Sequence, residues 1–168
     1  IDPEAHLLVL DTGSQGRADE VVTMLVDALP GFAVALLDTA ESPQACMAHW
    51  LTDDEPYDGV EIFSVGRECE LKSCDESKAV VRYSRHPLDI EEILDHIRQG
   101  KLPTKLAMTW DDRVSFVLTE SLQIKKLAFL DTVFEGQKQD DSGFDADVAI
   151  ATGELTKLLP DLIEALGG

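Results

Sequence analysis

A chain of 168 residues, 44% apolar and 28% charged, is long enough to close a core without disulfides or metals. It contains no run approaching the roughly 20 apolar residues that cross a bilayer. Its formal net charge of −19 argues against nucleic acid or an anionic membrane as a partner, unless the charge is segregated. Ile1 is not a start residue and no signal-peptide pattern follows it, so the chain is expected to be a piece of a longer protein. Cys46, Cys69 and Cys74 are odd in number, and Cys69-x4-Cys74 is not a usual zinc spacing. They are expected to be reduced cysteines of a cytoplasmic protein, with no cofactor or metal implied.

In chain order, residues 6–10 form an apolar run that predicts a strand, and 13–16 a turn. Residues 18–29 place Val21, Val22, Leu25, Val26 and Leu29 on one helical face. Pro30 and Gly31 stop that helix, and 32–37 predicts a second strand. This order suggests a right-handed crossover between parallel strands. Ser42 and Pro43 suit the start of a short helix to about residue 51, followed by an acidic loop at 52–59.

Residues 68–72 and 79–85 read as strands around a polar turn. A helix from about Asp89 to Gln99 turns Ile90, Ile93, Leu94 and Ile97 inward, and Gly100 is placed to end it. Residues 104–110, 114–118 and 123–129 predict a three-strand meander. A polar stretch at 136–143 precedes a final helix over 145–166, interrupted or restarted at Pro160. The expected class is α+β: a βαβ-like start, then a mixed or antiparallel sheet with the meander, packed helices and a C-terminal helix. Three segments follow, at 1–66, 67–134 and 135–168.

Several motifs have ordinary explanations. Asp11-Thr12-Gly13-Ser14 resembles an aspartic-protease loop. Here, however, Gly16 leads into a helix, and the related run at 37–40 lacks the glycine. The 13–16 turn lacks a phosphate-loop pattern, and Asp19 and Glu20 would repel an anion there. A nuclease would use Asp111, Asp112, Asp145 and Asp147 to hold Mg2+. The same residues suit a hairpin turn and a helix N-terminus.

The charge is segregated. Residues 38–61 hold seven acids and no Lys or Arg, whereas 101–126 hold five basic residues against three acids. Arg82, Arg85 and His86 lie just upstream, and Lys101, Lys105, Arg113, Lys125 and Lys126 on or beside the meander. Phosphate contact needs cations held along a surface, without catalytic spacing. Solvated edge lysines that guard against strand aggregation are the plainer alternative.

The wording of these stretches goes further. Residues 100–110 (GKLPTKLAMTW), 113–117 (RVSFV) and 125–129 (KKLAF) resemble the recombination-associated RdgC family. So do 144–147 (FDAD), 152–155 (TGEL), 162–168 (LIEALGG), 8–11, 70–72, 80–82 and 91–97. The resemblance covers essentially the whole chain, as the C-terminal half of a longer family member.

It implies a non-catalytic protein that binds single- and double-stranded DNA without marked sequence preference. It implies a ring-shaped homodimer around DNA in the cytoplasm and nucleoid, with no membrane role, restraining RecA-promoted strand exchange. The positions that match the family's DNA-contact candidates are Arg85, His86 and Lys101. The family typically has a basic pair and then glutamine at 84–86, where this chain has Ser84, Arg85 and His86. Arg82, Lys105, Lys125 and Lys126 complete the candidate set. This piece alone is expected to bind DNA weakly or not at all. Two alternatives remain: a metal-dependent exonuclease, which requires the four aspartates to converge, and a module for dimerisation only.

Overall fold

The computed structural model describes residues 1–52, 62–134 and 143–168. Most of the expected acidic loop at 52–59 and polar stretch at 136–143 lies outside the described residues. Five strands, β1 (Phe63–Ser73), β2 (Val80–Ser84), β3 (Lys101–Trp110), β4 (Val114–Thr119) and β5 (Ile124–Phe129), form one sheet. Its order is β2-β1-β3-β4-β5, with every pairing antiparallel. The described helices are α1 (Gln15–Ala28), α2 (Pro43–Thr52), α3 (Glu91–Arg98), α4 (Asp131–Phe134) and α5 (Phe144–Ala165). The α+β class expected from the sequence is the one observed.

The chain divides into two compact units, 1–38 and 39–168. In the first, the helix of the expected βαβ-like start forms as α1, capped by the Ser14 hydroxyl, which accepts from the Arg17 amide. The expected strands at 6–10 and 32–37 do not form, nor does the parallel crossover. Backbone pairing there is limited, among the described residues, to an isolated bridge between Asp2 and Leu7. Apolar composition predicts a strand, but a strand exists only with a ladder partner. α1 buries none of its residues, and Leu36 is 87% exposed.

In the second unit, period-two alternation builds the core. Cys69 and Leu71 of β1, Leu106, Met108 and Trp110 of β3, and Val114, Phe116 and Leu118 of β4 are all buried. They pack with Met47 and Trp50 of α2, Ile93 of α3, and Leu158 and Leu162 of α5. Each such side chain contributes about 1.5–3 kcal/mol on burial.

Helix ends follow local chemistry. α3 carries Glu91 and Glu92 in its first turn and His96 and Arg98 in its last, matching the helix dipole. Its N-cap is Ile90, without a side-chain cap. Gly100, at φ +87°, lets the chain leave in the left-handed region. α5 runs through Pro160 without the expected interruption. All three cysteines are free. Burial pushes the thiols of Cys46 and Cys69 up to about 11 and about 12, helped by Glu41 and Glu70 respectively. Cys74 is exposed in the β1–β2 turn.

Two side-chain pairs fasten α5 to the β3–β4 hairpin. The Trp110 indole donates to Asp161 at 2.8 Å. Arg113 grips buried Glu154 through two bonds of 2.6 and 2.7 Å. The guanidinium holds the Glu154 carboxyl below its usual range, against the opposing effect of burial. Pro103, which cannot donate to a ladder, sits where the β1–β3 register shifts between Glu70 and Leu71.

A larger irregularity lies earlier in β1. Val65 pairs with Met108 and Cys69 with Leu106, so β1 advances four residues while β3 advances two. Gly66 is required there: a Cβ would lie 3.0 Å from the Ala107 Cβ and 3.1 Å from its carbonyl oxygen.

These contacts carry stability predictions. Gly66→Ala should destabilise the fold by about 1–3 kcal/mol through overpacking. Gly153→Ala, in open space on α5, should stabilise it by roughly 0.5–1 kcal/mol; urea unfolding of both variants checks the contrast. Arg113→Ala strands the buried Glu154 carboxylate and should lower the melting temperature, whereas Arg113→Met with Glu154→Leu should recover much of the loss.

Candidate nucleic-acid interface

Cross-strand partners point to the same side of a sheet, so the register fixes which side chains share the face away from the helices. Glu70 of β1 lies opposite Arg82 of β2 and Lys105 of β3, and Lys105 lies opposite Thr119 of β4. Val117 of β4 lies opposite Lys125 of β5. One polar row thus crosses four strands, with Lys125 beside it on the fifth. Lys72, exposed and two residues beyond Glu70 on β1, extends the set and was not among the sequence candidates.

Glu70 is the hub of this row. Arg82 Nε donates to it at 2.5 Å, Lys105 Nζ at 3.0 and 3.1 Å, and Thr104 Oγ1 at 2.8 Å. The Arg82 bond, seconded by Thr104 and Lys105 and opposed by burial, holds the Glu70 carboxyl down to about 2. The cations stand further out than the acid: the Glu70 side chain is 13% exposed, Lys105 39% and Arg82 71%.

A second pair closes across the sheet. Lys126 Nζ donates to both Glu68 oxygens at 2.6 and 2.7 Å, linking β5 to β1 over the two strands between them. Strands are spaced about 4.8 Å apart, so a flat sheet would separate these two by roughly 14 Å. Two irregularities draw them together. Glu68 lies in the β1 bulge, and Lys126, at φ +53°, lies at the β4–β5 register shift. Bulges bend strands and re-aim side chains. Val117, on the same face, is only 4% exposed although it lies outside the helix-packed core.

The candidates at the end of β2 form another group. Arg85 turns the chain with φ +57°. His86 is pinned by its amide, which donates to the Arg67 carbonyl in the β1 bulge at 3.2 Å. Its Nδ1 donates to the Pro87 carbonyl at 2.7 Å. The Tyr83 ring lies between histidines, 6.2 Å from His86 and 6.5 Å from His96 by ring centroids. Lys101 donates to His96 Nδ1 at 3.1 Å, while His96 Nε2 is 3.9 Å from Glu92. His96 is half-buried, at the edge of its helix. The Tyr83 hydroxyl is buried with no bonded partner among the described residues. Burial and the nearby charge of Glu92 raise its pKa.

The seven sequence candidates thus separate by their partners. Arg82 and Lys105 share Glu70, Lys126 holds Glu68, and Lys101 rests on a histidine. Among the described residues Arg85 and Lys125 form no ion pair. The residues that sequence reading missed are Glu68 and Glu70, together with Tyr83 and His96. The spacing Glu68-x-Glu70 between buried Cys69 and Leu71 was the available signal, because alternation puts both acids on the outer face.

The four aspartates do not converge. Asp111 and Asp112 occupy the tight β3–β4 turn with φ of +48° and +50°, and Asp145 and Asp147 lie in the first turn of α5. Among the described residues no group of three or more His, Cys, Asp or Glu is placed to hold a metal ion. No described helix is long and apolar enough to cross a membrane.

The profile of a family described as "Putative exonuclease, RdgC" matches residues 1–168. The chain belongs to the RdgC family. The recombination-associated protein RdgC of Dechloromonas aromatica (strain RCB) is 49% identical over 175 residues, covering 100% of this chain and 57% of the relative. The corresponding protein of Herminiimonas arsenicoxydans is 46% identical over 172 residues, with 100% and 56% covered. That of Bordetella pertussis is 42% identical over 172 residues, with the same coverage. The chain spans a little more than half the length of these RdgC relatives.

The Glu70 hub predicts a pH dependence. Its carboxyl is a stronger acid folded than unfolded, where the ordinary value is 4.5. Its contribution to stability is therefore complete above about pH 4.5 and is lost as the pH falls through about 2. Acid titration of unfolding should show this loss in the native protein, and a smaller one in Glu70→Gln.

Proposed function

We propose that this chain is part of a recombination protein that binds single- and double-stranded DNA through its phosphates, without sequence preference. The observation that carries the reading is the polar sheet face: Arg82, Lys105, Lys125 and Lys126 share it in a chain of net charge −19. Arg85, His86 and Lys101 stand at its margin, beside the β1 bulge and the end of α3. Cations set along a rigid sheet contact phosphates and position a strand, while carrying no sequence information. The relatives' printed name associates them with recombination.

In this reading the whole protein is a ring-shaped homodimer in the nucleoid that surrounds DNA and restrains RecA-promoted strand exchange. The acidic remainder of the chain repels DNA everywhere except at the basic face. That excess charge also explains why this chain by itself should bind poorly.

The test is a double charge reversal, Arg85→Glu with Lys101→Glu, in the full-length protein. Affinity for single and double strands of any sequence should fall at least about tenfold, and the slope of log affinity against log salt should flatten by about 2. Fluorescence anisotropy with labelled oligonucleotides measures both. Unchanged affinity would overturn the assignment.

A further inference from the structure

We infer that Glu68 and Glu70 act as built-in competitors for phosphate, occupying Arg82, Lys105 and Lys126 and so limiting how many cations DNA can use. This rests on the DNA-binding reading above and adds the regulation of that same face.

The geometry is that of a carboxylate already standing where a phosphate would. Glu70 accepts from Arg82 and Lys105 at 2.5–3.1 Å, and Glu68 accepts twice from Lys126 at 2.6 and 2.7 Å. These are charge-assisted contacts of the length that a phosphate oxygen would make. The acids lie lower than the cations: Arg82 is mostly exposed, and it gives Glu70 only its Nε. Its terminal nitrogens have no acidic partner among the described residues. An incoming strand thus meets the outer sides of cations whose charge is partly cancelled from below. Two acids engaged by three cations, with Lys72 and Lys125 outside both groups, leave the face basic but short of its nominal charge.

Binding then requires sharing or exchange. At Lys126 two of the three ammonium hydrogens are engaged by the Glu68 carboxylate, so a phosphate gains the third unless the acid swings away. For Arg82 and Lys105 the phosphate shares the cations with a partly buried acid held by three donors. The Glu70 carboxyl is held well below the usual carboxylate range by those same donors, so no physiological pH relieves this competition by protonation. Counterion release per bound strand should therefore be smaller than the number of cations on the face suggests.

Removing the charge while keeping the shape tests this. Glu68→Gln, Glu70→Gln and the double variant are made in the full-length protein, with melting curves to confirm folding. Anisotropy with labelled single-stranded and duplex oligonucleotides is read between about 50 and 200 mM salt. The double variant should bind on the order of tenfold tighter at the lower salt, with a slope steeper by one to two, about 0.9 per phosphate on duplex. Because Glu70 also ties three strands' side chains together, Glu68→Gln supplies an arm independent of the hub. Lys126→Gln should cost more affinity in the Glu68→Gln background than in the native one, since the lysine is masked in the native protein.

The outcomes separate two failures. Weakened binding by the Arg85 and Lys101 reversal, with no gain from either glutamine variant and no coupling of Lys126 to Glu68, overturns the competition alone. Affinity unchanged by that reversal overturns the DNA-binding assignment, and the competition that rests on it, whatever the glutamine variants do.

Discussion

The extra residues of β1 between Val65 and Cys69 are the constraint on which the outer face depends. Only glycine at position 66 lets the strand pass so close to Ala107. The displaced backbone then does two things. It offers the Arg67 carbonyl to His86, which fixes the end of β2 and the left-handed turn at Arg85. It also puts Glu68 where Lys126 reaches it from the far edge of the sheet. A regular β1 would have neither anchor, and the β2 terminus would leave the sheet as an untethered loop.

The electrostatics follow from this geometry rather than from composition. A chain of net charge −19 gathers Arg82, Lys105, Lys125 and Lys126 on one sheet face because its acids are unequally distributed, although two of them sit among those cations. Such pairs at a surface add little to stability, but partly buried Glu70 is different in kind. With three donors around it, loss of any one would leave a poorly solvated charge. The inner ion pair of Arg113 with Glu154 has a separate, structural task, holding α5 against the hairpin that begins the meander.

Much of the second unit was legible in the sequence, because alternation and helical spacing are local patterns. The meander, β2, α2, α3 and α5 lie close to their expected limits, whereas β1 begins at Phe63, five residues before the expected start at 68. The bulge was not legible: Gly66 in a strand is compatible with several backbone paths, and only the facing Ala107 selects one. The Glu70 hub was missed for a related reason. Residues 70, 82 and 105 are far apart in sequence and meet only through register. In the first unit local pattern misled, since apolar runs at 6–10 and 32–37 have the composition of strands without ladder partners. The candidate cations were legible in the sequence, but not the acids they meet in the fold.

The cysteines give the sheet a chemical handle. With their thiols pushed up to about 11 and about 12, Cys46 and Cys69 are ionised at pH 8 in about one molecule per thousand or fewer. Both are also shielded from reagents by burial. Cys74 stands exposed in the turn joining β1 to β2. A maleimide dye should therefore select one position on the native fold without any cysteine being replaced. That position lies on the turn between the two strands carrying Glu68, Glu70 and Arg82, so the label is an optical reporter built beside the polar face itself.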